Sequence, residues 1–141
     1  IFGVWTWKLT PKQHLPWERD EVVAFEKARA EGKGVMVDFA AVWCIPCAEF
    51  ELVFGDDDVY EAITESFVPL QFDVTDDTAE NEALKERYGA ATLPAIIFLD
   101  AEGNVLARLN QLVEPDEMLD VIRPAARTLR AAKAQVQASE R

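Results

Sequence analysis

The sequence predicts an α/β fold, a central mixed β-sheet flanked by helices. Three observations predict it. Short apolar runs of strand length alternate with stretches of helical period, the last two such runs are joined by a turn short enough for a hairpin, and half of the 141 residues are hydrophobic, enough for one core but not for two.

Taken in order, Val4 to Leu9 alternates and reads as a first strand, followed by a loop from Pro11 to Pro16. Arg19 to Glu31 sets Val22, Val23, Phe25 and Ala28 at helical spacing, and Gly32 and Gly34 are expected to end that helix. Val35 to Ala41 is a nearly continuous apolar run, the pattern of a central strand covered on both faces. Cys47 to Phe54 reads as a helix, Gly55 to Asp58 as a break, Val59 to Ser66 as a second helical stretch and Val68 to Val74 as a second apolar strand. Asp76 or Asp77 is expected to cap a helix that runs to Tyr88. Beyond Gly89, Ala95 to Leu99 and Val105 to Leu109 flank a turn at 100–104 and predict an antiparallel hairpin. A last helix begins near Pro115 and runs past Arg130 into a tail rich in Ala, Lys, Gln and Arg that is expected to fray. No internal repeat is present, and the division read from the chain is an extension with the first strand at 1–18, one folded domain at 19–125 and a helical tail at 126–141.

Composition excludes some classes of function. A formal charge of -12, with 26 acidic residues against 14 Lys and Arg, argues against nucleic acid, because a phosphate backbone is held mainly by cations. No window approaches the roughly 18 consecutive apolar residues of a membrane span. The start Ile1-Phe2-Gly3-Val4-Trp5 lacks the regions of a signal peptide, has no Met and is mostly apolar, so the expectation is a soluble segment cut from a longer protein just after a membrane segment. A monomer is expected. The acidic stretch Asp56 to Asp58 reads as a solvated turn and helix cap, since three adjacent acids cannot all converge on one ion.

The only two cysteines sit together in Trp43-Cys44-Ile45-Pro46-Cys47, directly after the strand Val35 to Ala41 and at the start of a helix. Reaction sites in open α/β sheets lie beyond the carboxyl ends of the strands. A helix N-terminus carries unpaired N–H groups and about half a positive charge, which favours thiolate over thiol, so Cys44 is the candidate nucleophile. Cys47, one turn on, is placed to attack a mixed disulfide formed at Cys44 and is the candidate resolving thiol. Pro46 falls in the first turn, where its missing N–H costs nothing and its ring stiffens the loop. Two other readings stay open: half of a zinc site, for which the only His, His14, lies far upstream in a Pro-rich loop, and a pair of buried cysteines with no redox role. With the redox reading no cofactor is needed, since the disulfide is itself the redox group.

The segment Val37-Asp38-Phe39-Ala40-Ala41-Val42-Trp43-Cys44-Ile45-Pro46-Cys47 resembles the active-site segment of the thioredoxin superfamily, and Thr92-Leu93-Pro94-Ala95 resembles its second landmark. The resemblance implies a thioredoxin-like fold and a cis Leu93–Pro94 bond facing the cysteines, whose backbone receives an extended substrate segment. Within the superfamily the chain is similar, over about Glu21 to Leu109, to the C-terminal periplasmic domains of the DsbD family of membrane reductases. That likeness rests on Cys47-Ala48-Glu49-Phe50-Glu51, Phe54-Gly55-Asp56-Asp57-Asp58-Val59, Phe72-Asp73-Val74-Thr75-Asp76-Asp77 and Ala83-Leu84-Lys85-Glu86-Arg87-Tyr88-Gly89. It implies a periplasmic disulfide reductase that receives electrons from a transmembrane domain and passes them to an N-terminal domain serving disulfide isomerases and cytochrome c maturation. A stand-alone thioredoxin-type reductase, cytoplasmic in that case, and a thioredoxin-fold binding module without turnover are the alternatives. Departures from the pattern are Asn110-Gln111-Leu112 where a glycine is usual, Ala95 after the proline, and the tail from Ala125 to Arg141.

Two carboxylates carry the site's acid–base chemistry. Asp38 lies inside an apolar strand six residues before Cys44, where desolvation raises its pKa and suits it to take the proton that Cys47 must lose. The competing reading has Asp38 facing solvent at the strand end. Glu51, seven residues after Cys44, shares nearly the same helix face and either restrains the thiolate by repulsion or is an ordinary surface acid. The matching acids of the resembled domains are credited with that restraint. Trp43 is read as partner surface rather than core, with Ile45, Pro46, Leu93 and Pro94 completing the partner-binding set. Phe39, Phe50, Phe72, Ile97 and Phe98 are read as core, while Trp5, Trp7 and Trp17 have no chemical assignment and are expected to cover the first strand and helix.

Overall fold

The computed structural model describes residues 11–140, so the strand expected at Val4 to Leu9, together with Trp5 and Trp7, lies outside the described residues. The elements that follow are α1 (Glu21–Glu31), β1 (Gly34–Ala40), α2 (Ile45–Phe54), α3 (Asp57–Ser66), β2 (Phe67–Asp73), α4 (Ala79–Tyr88), β3 (Ala95–Leu99), β4 (Val105–Leu109) and α5 (Pro115–Ser139). The four strands form one mixed sheet in the order β2-β1-β3-β4. β1 runs parallel to β2 and antiparallel to β3, and β3 and β4 make the expected antiparallel hairpin.

The apolar run that predicts a central strand is central for a physical reason. Every residue of β1 up to Phe39 is buried, and alternation sends its side chains to clusters on the two faces of the one sheet. Met36 joins Phe50, Phe54, Ile63, Ile96, Phe98, Met118 and Ile122 under α2, α3 and α5, whereas Val35, Val37 and Phe39 join Leu70, Ile97 and Leu99 under α1 and α4. Phe39, Phe50, Ile97 and Phe98 are buried as expected, each aromatic among them contributing about 1.5–3 kcal/mol relative to exposure. Phe72 is only partly buried and packs with Phe39 and Tyr88 at the margin of the cluster under α1 and α4. Trp17 lies edge-on to Phe54 with ring centroids 5.5 Å apart, so it covers α2.

Local details depart from the sequence reading at several points. The buried face of α1 is Ala24 and Ala28, while Val22 and Val23 are exposed at 64% and 46%; small residues let this helix lie close to the sheet. Gly32, in the left-handed region at φ 67°, ends α1, but Gly34 opens β1, where a Cβ would be driven into the carbonyl oxygen of Leu99 on β3. The cap of α4 is Thr78, whose hydroxyl accepts from Asn81 N, rather than Asp76 or Asp77. Helix α5 is continuous from Pro115 to Ser139 with Pro124 inside it, so the segment expected to fray beyond Arg130 is helical. Asp56 is a cap, as read from the acidic run, accepting from Asp58 N and Val59 N.

β2 is an outer strand of the sheet. Pro69, which cannot donate to a ladder, is tolerated on such a strand, and the residues before α1 cover the edge: Glu18 N donates to Pro69 O at 2.8 Å and Gln71 N donates to Glu18 O at 3.0 Å. Among the described residues no helix is long and apolar enough to cross a membrane.

Candidate active site

The sheet sets the place. β1 ends at Ala40, the chain turns through Ala41, Val42 and Trp43, and Cys44 is the N-cap of α2 in extended conformation. Cys47 N donates to Cys44 Sγ at 3.2 Å, so the first-turn N–H that would otherwise lack a partner points at this sulfur. That is the arrangement that favours a thiolate at position 44. The helix starts at Ile45, two residues before the start read from the sequence, and Pro46 sits in its first turn, where no intrahelical donor is lost.

Cys44 and Cys47 form a disulfide, their Cα atoms 5.3 Å apart. Each is 6% exposed, and they pack with Ala41 and Leu93 in a small apolar cluster of their own. The Leu93–Pro94 peptide bond is cis, as the resemblance implies, and it brings the second landmark against the cysteines. Around this buried pair stands an exposed apolar rim: Val42 at 85%, Trp43 at 60% and Ile45 at 72%. Trp43 is therefore surface and not core. Its indole Nε1 donates to Thr75 O at 3.0 Å. Asn110, Gln111 and Leu112 are exposed between β4 and α5.

Asp38 is 3% exposed, which removes the reading in which it faces solvent at a strand end. By strand alternation it shares the face of Met36, beneath α2 and α5. Burial is the largest influence on its carboxyl and pushes the pKa up to about 7; a hydrogen bond from Gln71 opposes the rise, the charge of Glu51 adds to it and that of Arg19 opposes it. Cys47 Sγ lies 3.7 Å from the carbonyl oxygen of Phe39, the residue next to Asp38, so the resolving sulfur and the buried acid are served by the same stretch of β1.

Glu51 is half-buried on α2, and its electrostatic effect on Asp38 ties it to the site. His14, exposed in its loop, has Nδ1 at 3.7 Å from Glu51 Oε2, a contact across sequence that no local pattern announces. The sequence reading also missed Gln71 and Arg19. Gln71 Nε2 donates to Asp38 Oδ2 at 2.9 Å and Arg19 Nη1 donates to Gln71 Oε1 at 2.6 Å. The available signal was Gln71 itself, a polar residue inside the apolar run Val68 to Val74, the same anomaly that singles out Asp38.

The arrangement has what dithiol–disulfide exchange requires, a sulfur at a helix N-terminus and a second sulfur one turn on, and it sets the buried Asp38 next in sequence to the residue whose carbonyl faces Cys47 Sγ. Among the described residues no three His, Cys, Asp or Glu side chains come together as a metal site.

Comparison with known proteins gives the same result by another route. A family model described as "Thioredoxin-like domain" matches residues 22–126. The chain is 46% identical over 91 residues to the thiol:disulfide interchange protein DsbD of Colwellia psychrerythraea, covering 63% of this chain and 14% of the relative. It is 37% identical over 113 residues to that of Actinobacillus pleuropneumoniae, covering 76% of this chain and 19% of the relative. The chain thus spans less than a fifth of the length of these relatives. Among solved structures it is similar to the oxidised C-terminal domain of Neisseria meningitidis DsbD, with TM-score 0.65, 26% identity, and coverage of 74% of this chain and 94% of that one. It is also similar to a Thermus thermophilus thioredoxin, with TM-score 0.67, 28% identity, and coverage of 79% and 86%.

Proposed function

Since this chain belongs to the thioredoxin-like domain family and its Cys44–Cys47 pair makes it a thiol–disulfide oxidoreductase, we propose that it acts as a protein-disulfide reductase relaying electrons within a DsbD-like protein. The observation that carries the chemistry is the placing of Cys44 as the cap of α2 with Cys47 N directed at its sulfur.

In the reductive direction the Cys44 thiolate attacks a partner disulfide, forming a mixed disulfide and releasing one partner thiolate. Cys47 then loses its proton and attacks Cys44 Sγ, which closes the Cys44–Cys47 disulfide and releases the second partner thiolate. Asp38, buried and with a pKa near 7, takes the Cys47 proton, and Glu51 holds Asp38 ready to accept it by keeping that pKa high. Trp43, Ile45, Pro46, Leu93 and Pro94 form the surface that receives the partner, its extended segment lying along the cis Leu93–Pro94 backbone.

The relay reading is supported by the likeness to the DsbD relatives. In that reading a transmembrane domain reduces this one, which in turn reduces an N-terminal domain, and the site works in the periplasm as one thioredoxin-like unit at 19–125 followed by a helical tail at 126–141. The likeness to the Thermus thermophilus thioredoxin favours a second reading, a stand-alone reductase.

The test is to express Cys47→Ser in the native host and identify what is held as a mixed disulfide on Cys44. Capture of a DsbD-type N-terminal domain supports the relay, and capture of cytosolic proteins sinks it. Insulin reduction that persisted in Cys44→Ser would sink the enzymatic reading itself.

A further inference from the structure

Trp43 presents a paradox of order. It is 60% exposed in the loop between β1 and α2, beside Val42 at 85%, a setting in which packing alone does not fix a side chain. Yet the loop is tied down at three points to the segment that follows β2. Val42 N donates to Thr75 Oγ1 at 3.0 Å, and Trp43 Nε1 donates to Thr75 O at 3.0 Å. Val74 N donates to Ala40 O at 2.8 Å, extending the β1–β2 ladder to the edge of the loop. Thr75 is itself held. Its hydroxyl, which accepts from Val42, donates to Asp73 Oδ1 at 2.5 Å, and its backbone N donates to the same oxygen at 3.0 Å. Asp73 is exposed and its carboxyl is held below the usual range chiefly by the Thr75 hydroxyl, so it is an ionised anchor at neutral pH.

From this clasp we infer that Thr75 and Asp73 are positioning residues for disulfide exchange, fixing Trp43 in its partner-binding pose and so setting affinity for a protein disulfide. The inference rests on the reading of Trp43 as partner surface. Neither residue needs to touch the sulfurs or the partner. A partner that docks on an already ordered indole and loop does not have to immobilise them, a cost otherwise met on each binding event. A small disulfide needs no such surface, so the clasp distinguishes the two kinds of substrate. The hydroxyl is the specific requirement: one oxygen accepts from the Val42 N–H and donates to the Asp73 carboxylate, which Val at this position cannot do.

The experiment compares wild type, Thr75→Val, Thr75→Ser and Trp43→Ala in the reduction of insulin and of 2-hydroxyethyl disulfide. It also follows solvent exchange of the Trp43 indole N–H by NMR, assigned through Trp43→Phe. Thr75→Val is expected to speed indole exchange and raise KM for insulin about five-fold relative to the small disulfide, the equivalent of ordering one side chain on docking. Thr75→Ser is expected to restore both. If insulin KM is unchanged in Thr75→Val although the indole exchanges faster, or if both substrates lose rate equally, the positioning inference is overturned. If Trp43→Ala leaves insulin KM unchanged, it is the underlying reading of Trp43 that fails.

Discussion

Gln71 on β2 donates to Asp38 on β1 at 2.9 Å, and this single hydrogen bond is the partner that the structure gives a carboxyl only 3% exposed. Arg19 donates to the same amide from outside at 2.6 Å, so a cation at the surface and an acid in the interior are joined through one side chain. Burial and the charge of Glu51 outweigh both, which leaves Asp38 titrating at about 7 rather than 3.8.

That displacement makes stability depend on pH in a direction opposite to the usual carboxylate. Below about 3.8 the acid is protonated both folded and unfolded and costs nothing. As pH rises towards 7 the unfolded chain ionises first, so stability falls across that window, by up to about 4 kcal/mol, and is flat with respect to this group above it. Asp38→Asn is expected to remove the slope and to be the more stable protein at pH 8. Urea unfolding of the oxidised protein between pH 4 and pH 8 measures both.

Removing the Gln71 amide acts on the same acid. In Gln71→Leu the ionised carboxylate loses its hydrogen bond, and the Asp38 pKa is expected to rise above that of the wild type. Arg19→Ala shifts it the same way by less, because Arg19 is the smallest of the four influences. Carboxyl carbon chemical shifts followed through pH 5 to 9 read out the order of the three proteins.

Glu51→Gln moves Asp38 in the other direction, since the Glu51 charge raises its pKa. With less negative charge about the site, reduced Glu51→Gln is expected to react about two- to five-fold faster with iodoacetamide at pH 7, through a larger thiolate fraction at Cys44. The double variant with Asp38→Asn is expected to react faster still. An unchanged Cys44 titration in the double variant removes both carboxylates from the account of thiol reactivity.

Away from the sulfurs, Gly34→Ala tests the packing of the central strand. The added methyl meets the Leu99 carbonyl oxygen and the ring of Phe67, and backbone on a paired strand cannot move aside as a flexible side chain can. A loss of about 1–3 kcal/mol is expected by chemical denaturation, with the disulfide intact.

Much of this was legible in the chain because the signals were local. The apolar run at 35–41, the hairpin around residues 100–104 and the cysteines at a strand-to-helix junction each depend on neighbours in sequence, and so does the anomaly of Asp38 within its strand. What escaped was decided across the sheet or between loops. Gln71 meets Asp38 only because β1 and β2 are paired in parallel. His14 meets Glu51 because the loop before α1 lies against α2, where Gln13 also donates to Gly55 O at 3.2 Å. On α1 the helical spacing held for Ala28, which is buried, and for Phe25, which packs against the same cluster, but not for Val22 and Val23, because small Ala24 and Ala28 are the residues that face the sheet at close approach.

The pairing of β1 with β2 sets Asp38 opposite Gln71 and Phe39 opposite Phe72. A slip of one residue would turn every side chain of the shifted strand to the other face. Asp38 would then meet an aliphatic or aromatic neighbour from the α1 side in place of an amide, with all of its atoms and those of Gln71 unchanged. The acidity of the site is thus inherited from strand alignment as much as from residue identity. An insertion or deletion where α3 passes directly into β2, between Ser66 and Phe67 and away from either cysteine in sequence, would change the proton chemistry of this domain with the aspartate itself intact.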